Sequence, residues 1–210
     1  MAKKAVKSAA PSEPIKLFYI FYNQERWNNW LTSLREASFE VDPKSEEMPE
    51  GFRILDSFSE DITLSVLKIM RLFQNKRFGK EEALEKLIQV EQIVMADPPA
   101  DLEEIIELLQ LPKAVLFASC RTFVGGTFER DMKALVKKGR EIVEKDLERA
   151  LEIGAQVGAN VIDGATCCKK YIKDDIEQPT LFDEWLIECE RMSEAMGSLK
   201  DFDEVAGEDY

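Results

Sequence analysis

Residues 57–73 read SFSEDITLSVLKIMRLF, and the fold follows from how that stretch is read. Phe58, Ile62, Val66, Ile69, Met70 and Phe73 recur at helical spacing, which places them on one stripe of an α-helix. Leu64 and Leu67 widen the stripe. An apolar face that wide belongs in the middle of a bundle. Ser57 and Glu60 stand three apart, the spacing of a capping box, which predicts that the helix begins there.

Toward the C-terminus, Phe78-Gly79 breaks the pattern, and Ala83, Leu84, Leu87, Ile88, Val90 and Val94 mark a second helix ending near Ala96. The short connection implies an antiparallel hairpin. Asp97-Pro98-Pro99 predicts the start of another helix, carrying Leu102, Ile105, Ile106, Leu108 and Leu109. Pro112 is expected to stop it and open the next. Ala114 to Phe123, almost entirely apolar around Cys120, reads as a central buried helix ended by Gly125-Gly126. A long pattern from Thr127 to Ile162 follows, with a break expected near Lys145. In it Ala150, Gly154 and Gly158 stand four apart on one face. A glycine inside a helix costs roughly 1 kcal/mol against alanine, so the stripe implies close approach of another helix, from this chain or from a second copy in a homodimer. A short helix is expected around Cys167 to Asp174. Thr180-x-x-Asp183 then caps a final helix, whose Phe182, Trp185, Cys189, Met192, Met196 and Leu199 form a heptad-like seam.

Toward the N-terminus, residues 38 to 56 contain Pro43, Pro49 and Gly51 and read as a loop. Before them, Asn23 is a good N-cap for a helix ending near Ala37. Tyr22 and Trp27 stand where a hydrophobic staple needs them, and Trp27, Trp30, Leu31 and Leu34 share a stripe. Residues 17–22 (LFYIFY) fit a strand or a helix entry. Residues 1–14 (MAKKAVKSAAPSEP) read as a disordered basic leader and 201–210 (DFDEVAGEDY) as a disordered acidic tail. The expectation is an all-α irregular multi-helix bundle of about seven helices, one domain over residues 15–200 with disordered termini.

Composition narrows the chemistry. The 210 residues contain no histidine. That removes the commonest general acid/base and the commonest metal ligand near neutral pH. Triads built on histidine, His-ligated zinc and the Glu-x-x-His pattern of di-iron bundles are excluded. No Gly-rich phosphate loop is present: Gly125-Gly126 lacks the pattern and a downstream Lys-Ser/Thr. The balance of 28 basic against 41 acidic residues gives a formal net charge of -13, which disfavours nucleic acid and anionic membranes as partners. No apolar stretch is long enough to span a bilayer, and no secretory h-region is visible. A reducing cytoplasm with free thiols is the expected setting.

Four segments resemble a known family: Phe21-Tyr22-Asn23-Gln24-Glu25-Arg26-Trp27-Asn28-Asn29-Trp30-Leu31, Ile54 to Asp61, Gly79-Lys80-Glu81-Glu82-Ala83-Leu84, and Val161-Ile162-Asp163-Gly164. The first is similar to the F/Y-E-R-W-x-x-W-L opening of an archaeal family catalogued as domain of unknown function 2150, seen in methanogens and haloarchaea. The likeness covers about residues 17 to 200. The family has no established activity or catalytic motif, so the resemblance implies an archaeal, cytoplasmic setting and no functional residue.

Cys167-Cys168 is the sharpest chemical candidate: adjacent thiols beside Lys169 and Lys170 could form a disulfide or bind a soft metal. Glu103, Glu104 and Glu107 lie within one turn, where a hard cation competes with a solvated helix face as their explanation. Lys133, Lys137, Lys138, Arg140 and Lys145 form a basic cluster interleaved with acids. Trp27, Trp30 and Trp185 are the interaction candidates, with core packing as the alternative. The reading that results is a non-catalytic adaptor or regulatory protein that binds an unidentified protein partner, with no cofactor and no catalytic residue. A thiol-based redox or metal-sensing protein is the first alternative and an RNA-associated accessory factor the second.

Overall fold

The computed structural model describes residues 21–44, 47–172 and 179–200. The leader at 1–14, the tail at 201–210 and residues 17–20 of the apolar run lie outside them. Among the described residues there are seven α-helices and no strand: α1 (Gln24–Glu36), α2 (Glu50–Gln74), α3 (Lys80–Val94), α4 (Glu103–Gly125), α5 (Met132–Ile142), α6 (Leu147–Ile162) and α7 (Leu181–Ser198). The all-α expectation holds.

Local signals place several helix ends. The Asn23 side chain accepts a 2.8 Å hydrogen bond from the Arg26 amide. The Tyr22 ring stands edge-on to Trp27, with centroids 6.4 Å apart, as a staple requires. Thr180 and Asp183 form a complete capping box at the start of α7. Gly126, at φ +80°, closes α4 in the left-handed conformation that L side chains rarely adopt. The predicted break near Lys145 falls between α5 and α6, although α5 opens at Met132 under an Asp131 cap rather than at Thr127.

Four expectations are corrected. The second helix begins at Glu50, not Ser57, so residues 50–56 are helical and Ser57 is an exposed mid-helix residue. Pro49 suits a helix start because its missing N–H would have no intrahelical partner there. Gly51 lies against Phe39, whose ring would be 2.7 Å from an added Cβ. Asp97-Pro98-Pro99 is irregular chain leading into a turn closed by the Leu102 amide on the Pro99 carbonyl, and the helix starts at Glu103 with Leu102 as its N-cap. Pro112 does not end that helix: α4 runs through it to Gly125. Proline inside a helix costs about 3 kcal/mol. Here the carbonyl deprived of a donor belongs to exposed Leu108, where water can satisfy it, while the buried residues on both sides hold the axis. The segment from Cys167 to Ile172 is a series of turns, not a helix, and the rest of the expected short helix at 173–174 lies outside the described residues.

α2 is the central helix, in contact with α1, α3, α4 and α7. Trp27 and Trp30 of α1 both lie on its Phe58, with centroids 5.0 and 5.2 Å away. The widest helix interface is between α4 and α6. The small-residue stripe makes it: Gly154 faces Val115 and Gly158 faces Ser119. The stripe therefore serves contact within the chain. α7 lays its seam over α2, α4 and α6, with Phe182, Trp185, Cys189, Met192, Met196 and Leu199 all buried.

Candidate functional site

Three features carry more chemistry than a packed bundle requires. The first is a charged cluster where α2, α4 and α7 meet. Lys113 and Glu188 are buried at opposite sides of this junction, 0% and 1% exposed, with Lys113 Nζ 2.6 Å from Glu188 Oε1. The ammonium also donates to Thr63 Oγ1 at 2.8 Å. The Thr63 hydroxyl lies 3.0 Å from both the Ser59 carbonyl and Glu188 Oε1, and its single proton serves one of them at a time. Burial pushes the Lys113 amine below its ordinary range, opposed by the charge and hydrogen bond of Glu188. Glu188 Oε2 is buried without a hydrogen-bond partner among the described residues. Breaking such a pair strands a charge in an apolar interior at a cost of about 3–5 kcal/mol. The cluster thus links α2, α4 and α7 through Thr63, Lys113 and Glu188. Above it, Arg191 donates to Ser59 Oγ at 3.2 Å and to Asp56 at 2.7 Å. It forms one wall of a cleft of about 230 Å³ with Glu60, Thr63, Leu64 and Glu194.

The second feature is an apolar surface along the N-terminal half of α4. Leu108 is 60% exposed, Leu111 44% and Met95, at the end of α3, 38%. They line one concavity of about 670 Å³ with Ala114, rimmed by Glu104, Glu107 and Gln110. Leu108 also borders a second concavity, of about 490 Å³, with Met48, Phe52, Leu55 and Pro112. Leu108 is therefore the ridge between two apolar hollows. Grouped apolar exposure is what a docking surface requires, and a lone exposed leucine does not supply it. Methionines at both ends add side chains that adapt to a partner's shape.

The third feature is the turn after α6. Cys167 and Cys168 are joined to each other as a disulfide, and both are buried. Thr166 before them and Lys169 and Lys170 after them are exposed. Cys168 has φ +81°. Its carbonyl accepts from the Tyr171 amide at 2.7 Å and the Ile172 amide at 3.0 Å. Cys120 and Cys189 are free, buried thiols, and burial raises both well above the ordinary thiol range. The adjacent cysteines are thus brought together, and the expectation of free thiols at that pair is replaced by a disulfide.

Of the interaction candidates, Trp27 and Trp185 are buried, and Trp185 Nε1 donates to the Leu111 carbonyl at 3.3 Å. Trp30 is half-buried, stacked on Phe58 and bonded through Nε1 to Asp61 Oδ2 at 2.8 Å. Glu103, Glu104 and Glu107 are exposed. Among the described residues no three His, Cys, Asp or Glu side chains gather as a metal-binding group. In the basic cluster, Arg140 is turned inward, donating to Asp183 at 2.7 Å and to the Tyr171 carbonyl at 2.6 Å, while Lys137 lies 3.8 Å from Glu141. No helix among the described residues is long and apolar enough to cross a membrane.

Sequence reasoning passed over Lys113, Glu188 and Thr63. A signal was present: Ile106, Lys113 and Cys120 are seven apart, so the lysine occupies a core position of α4. Glu188 likewise stands three after Trp185 and four before Met192.

A family model described as an uncharacterised protein conserved in archaea matches residues 20–205. No curated protein and no solved structure matches the chain.

Proposed function

Because the chain belongs to DUF2150, a family of uncharacterised proteins conserved in archaea, we propose its function from its own surface: a non-catalytic adaptor that binds another protein through the exposed face of α4. The observation that carries this reading is the Leu108 ridge with hollows on both sides. Glu104 and Glu107 on the rim and the overall charge of -13 favour a basic partner. An amphipathic helix with leucines on one face and lysines on the flanks suits such a groove. Trp27 and Trp185 are buried and Trp30 is half-buried, so this reading rests on Leu108 and its neighbours and not on the tryptophans.

The test uses the full chain and a dye-labelled 18-residue helix of leucine and lysine as probe. The probe should bind, and Leu108→Gln with Leu111→Gln should weaken binding by about tenfold or more, equivalent to about 1.4 kcal/mol. Ile88→Gln, a change at an exposed residue outside both hollows, should leave it unaltered. Equal binding by all three proteins, or no binding at all, overturns the reading.

A further inference from the structure

We propose that Cys167–Cys168 is a two-electron redox centre whose reduction loosens the hold of its turn on the start of α7. The disulfide closes a ring between neighbouring residues, so it includes the peptide unit that joins them. Cys168 sits inside that ring at φ +81°, a conformation L side chains rarely adopt. Once the ring opens, nothing in the ring restrains this residue, and the turn relaxes toward ordinary backbone angles.

The turn is wired to its surroundings at two points, linked by a hydrogen bond within it. The Lys169 amide donates to Glu190 Oε2 of α7 at 3.0 Å. The Tyr171 amide donates to the Cys168 carbonyl at 2.7 Å. The Tyr171 carbonyl in turn accepts from Arg140 Nη2 at 2.6 Å. That same arginine donates through Nε to Asp183, the third residue of α7, which also completes the capping box with Thr180. A change at Cys168 therefore reaches the first turn of α7 through Tyr171, Arg140 and Asp183.

The chemistry balances with a dithiol as reductant. Its thiolate attacks the Cys167 sulfur, the disulfide breaks, and Cys168 leaves as a thiolate. The second thiol of the reductant then displaces Cys167 from the mixed disulfide. The two protons released by the reductant end on the two cysteines, and the reductant becomes a disulfide. Oxidised glutathione re-forms the disulfide through a mixed disulfide and is itself reduced to two molecules of glutathione. Reagents approach at Cys167, which at 5% is the least buried of the four cysteines and has exposed residues nearby, whereas Cys120 and Cys189 are enclosed in helices α4 and α7.

The test has two readings on the full chain. After treatment with oxidised glutathione, alkylation in denaturant followed by mass spectrometry should count two thiols, and after dithiothreitol four. Four thiols after the oxidant overturn the redox centre. Amide hydrogen exchange of the two folded forms should then show about tenfold faster exchange on reduction at Lys169, Tyr171 and Ile172 and at residues 182–184. Unchanged exchange at 182–184 overturns the coupling to α7. Cys167→Ser should exchange like the reduced protein whether or not dithiothreitol is present. If that variant does not fold, the comparison of oxidised and reduced wild type still decides.

Discussion

Gly158 of α6 and Ser119 of α4 face each other so closely that a Cβ on the glycine would land on the serine hydroxyl. That hydroxyl is itself committed, donating to the Val115 carbonyl at 2.6 Å. Neither side can give way without moving a helix. Gly158→Ala should destabilise the fold by about 1–3 kcal/mol, the range for overpacked cores, despite alanine's better helix propensity. Gly154→Ala should cost less, since its Cβ would meet Val115 Cγ2 at 3.1 Å and Trp185 Cε3 at 3.4 Å, contacts relieved by shifts of a few tenths of an ångström. Urea melts of both variants check the order.

Lys113→Met should destabilise by about 3–5 kcal/mol, because it leaves the Glu188 carboxylate buried without its cation. Lys113→Met combined with Glu188→Leu should recover most of that loss. A double-mutant cycle from denaturant melts gives the coupling; a double variant no more stable than the single one would refute the pairing argument.

Trp30→Phe keeps the stack on Phe58 but removes the hydrogen bond to Asp61. Asp61 retains Arg26 as a partner, so the expected loss is about 1 kcal/mol. Trp30→Ala removes the stack as well and should cost about 3 kcal/mol. The half-buried ring places it at the low end for large aromatics. Thermal melts distinguish the two variants.

Acid should unfasten α7. Burial raises the Asp183 carboxyl, but hydrogen bonds from Thr180 and Arg140 outweigh it and hold the folded-state value below the ordinary 3.8. A depressed carboxylate contributes stability that is present above its unfolded value and lost as pH falls through the folded one. Wild type should therefore lose stability below about pH 4. Asp183→Asn should start less stable at neutral pH and fall less steeply. Parallel acid dependence in the two proteins would show that Asp183 is not the group involved.

What the sequence made legible was local. Asn23, Thr180 with Asp183, and Gly126 act on backbone within a few residues, so their roles could be read before any packing was known. The Ser57 signal failed because serine and glutamate three apart also occur on the exposed face of a helix already under way. Pro112 misled for a related reason: its penalty is local, while the burial that outweighs it is tertiary. Lys113 and Glu188 are separated by 75 residues, so no window along the chain contains both. The same holds for Leu108: it read as one more apolar position, and only the packing of α4 shows that it points outward. Cys167-Cys168 could be singled out by adjacency, but the helical pattern on both sides hid the turn that lets them join.

The Lys113–Glu188 pair also sets an order of events during synthesis. Lys113 leaves the ribosome well before Glu188, with α5 and α6 emerging in between. Until α7 appears, the Lys113 ammonium has the Thr63 hydroxyl but not the Glu188 carboxylate as a partner, and the side of the α2–α4 junction that α7 covers is open to water. A nascent chain that ends before α7 must therefore keep this seam wet and open. The part of the core around Lys113 closes when the seventh helix arrives, and a ribosome stalled before residue 188 holds a bundle with that seam unfinished.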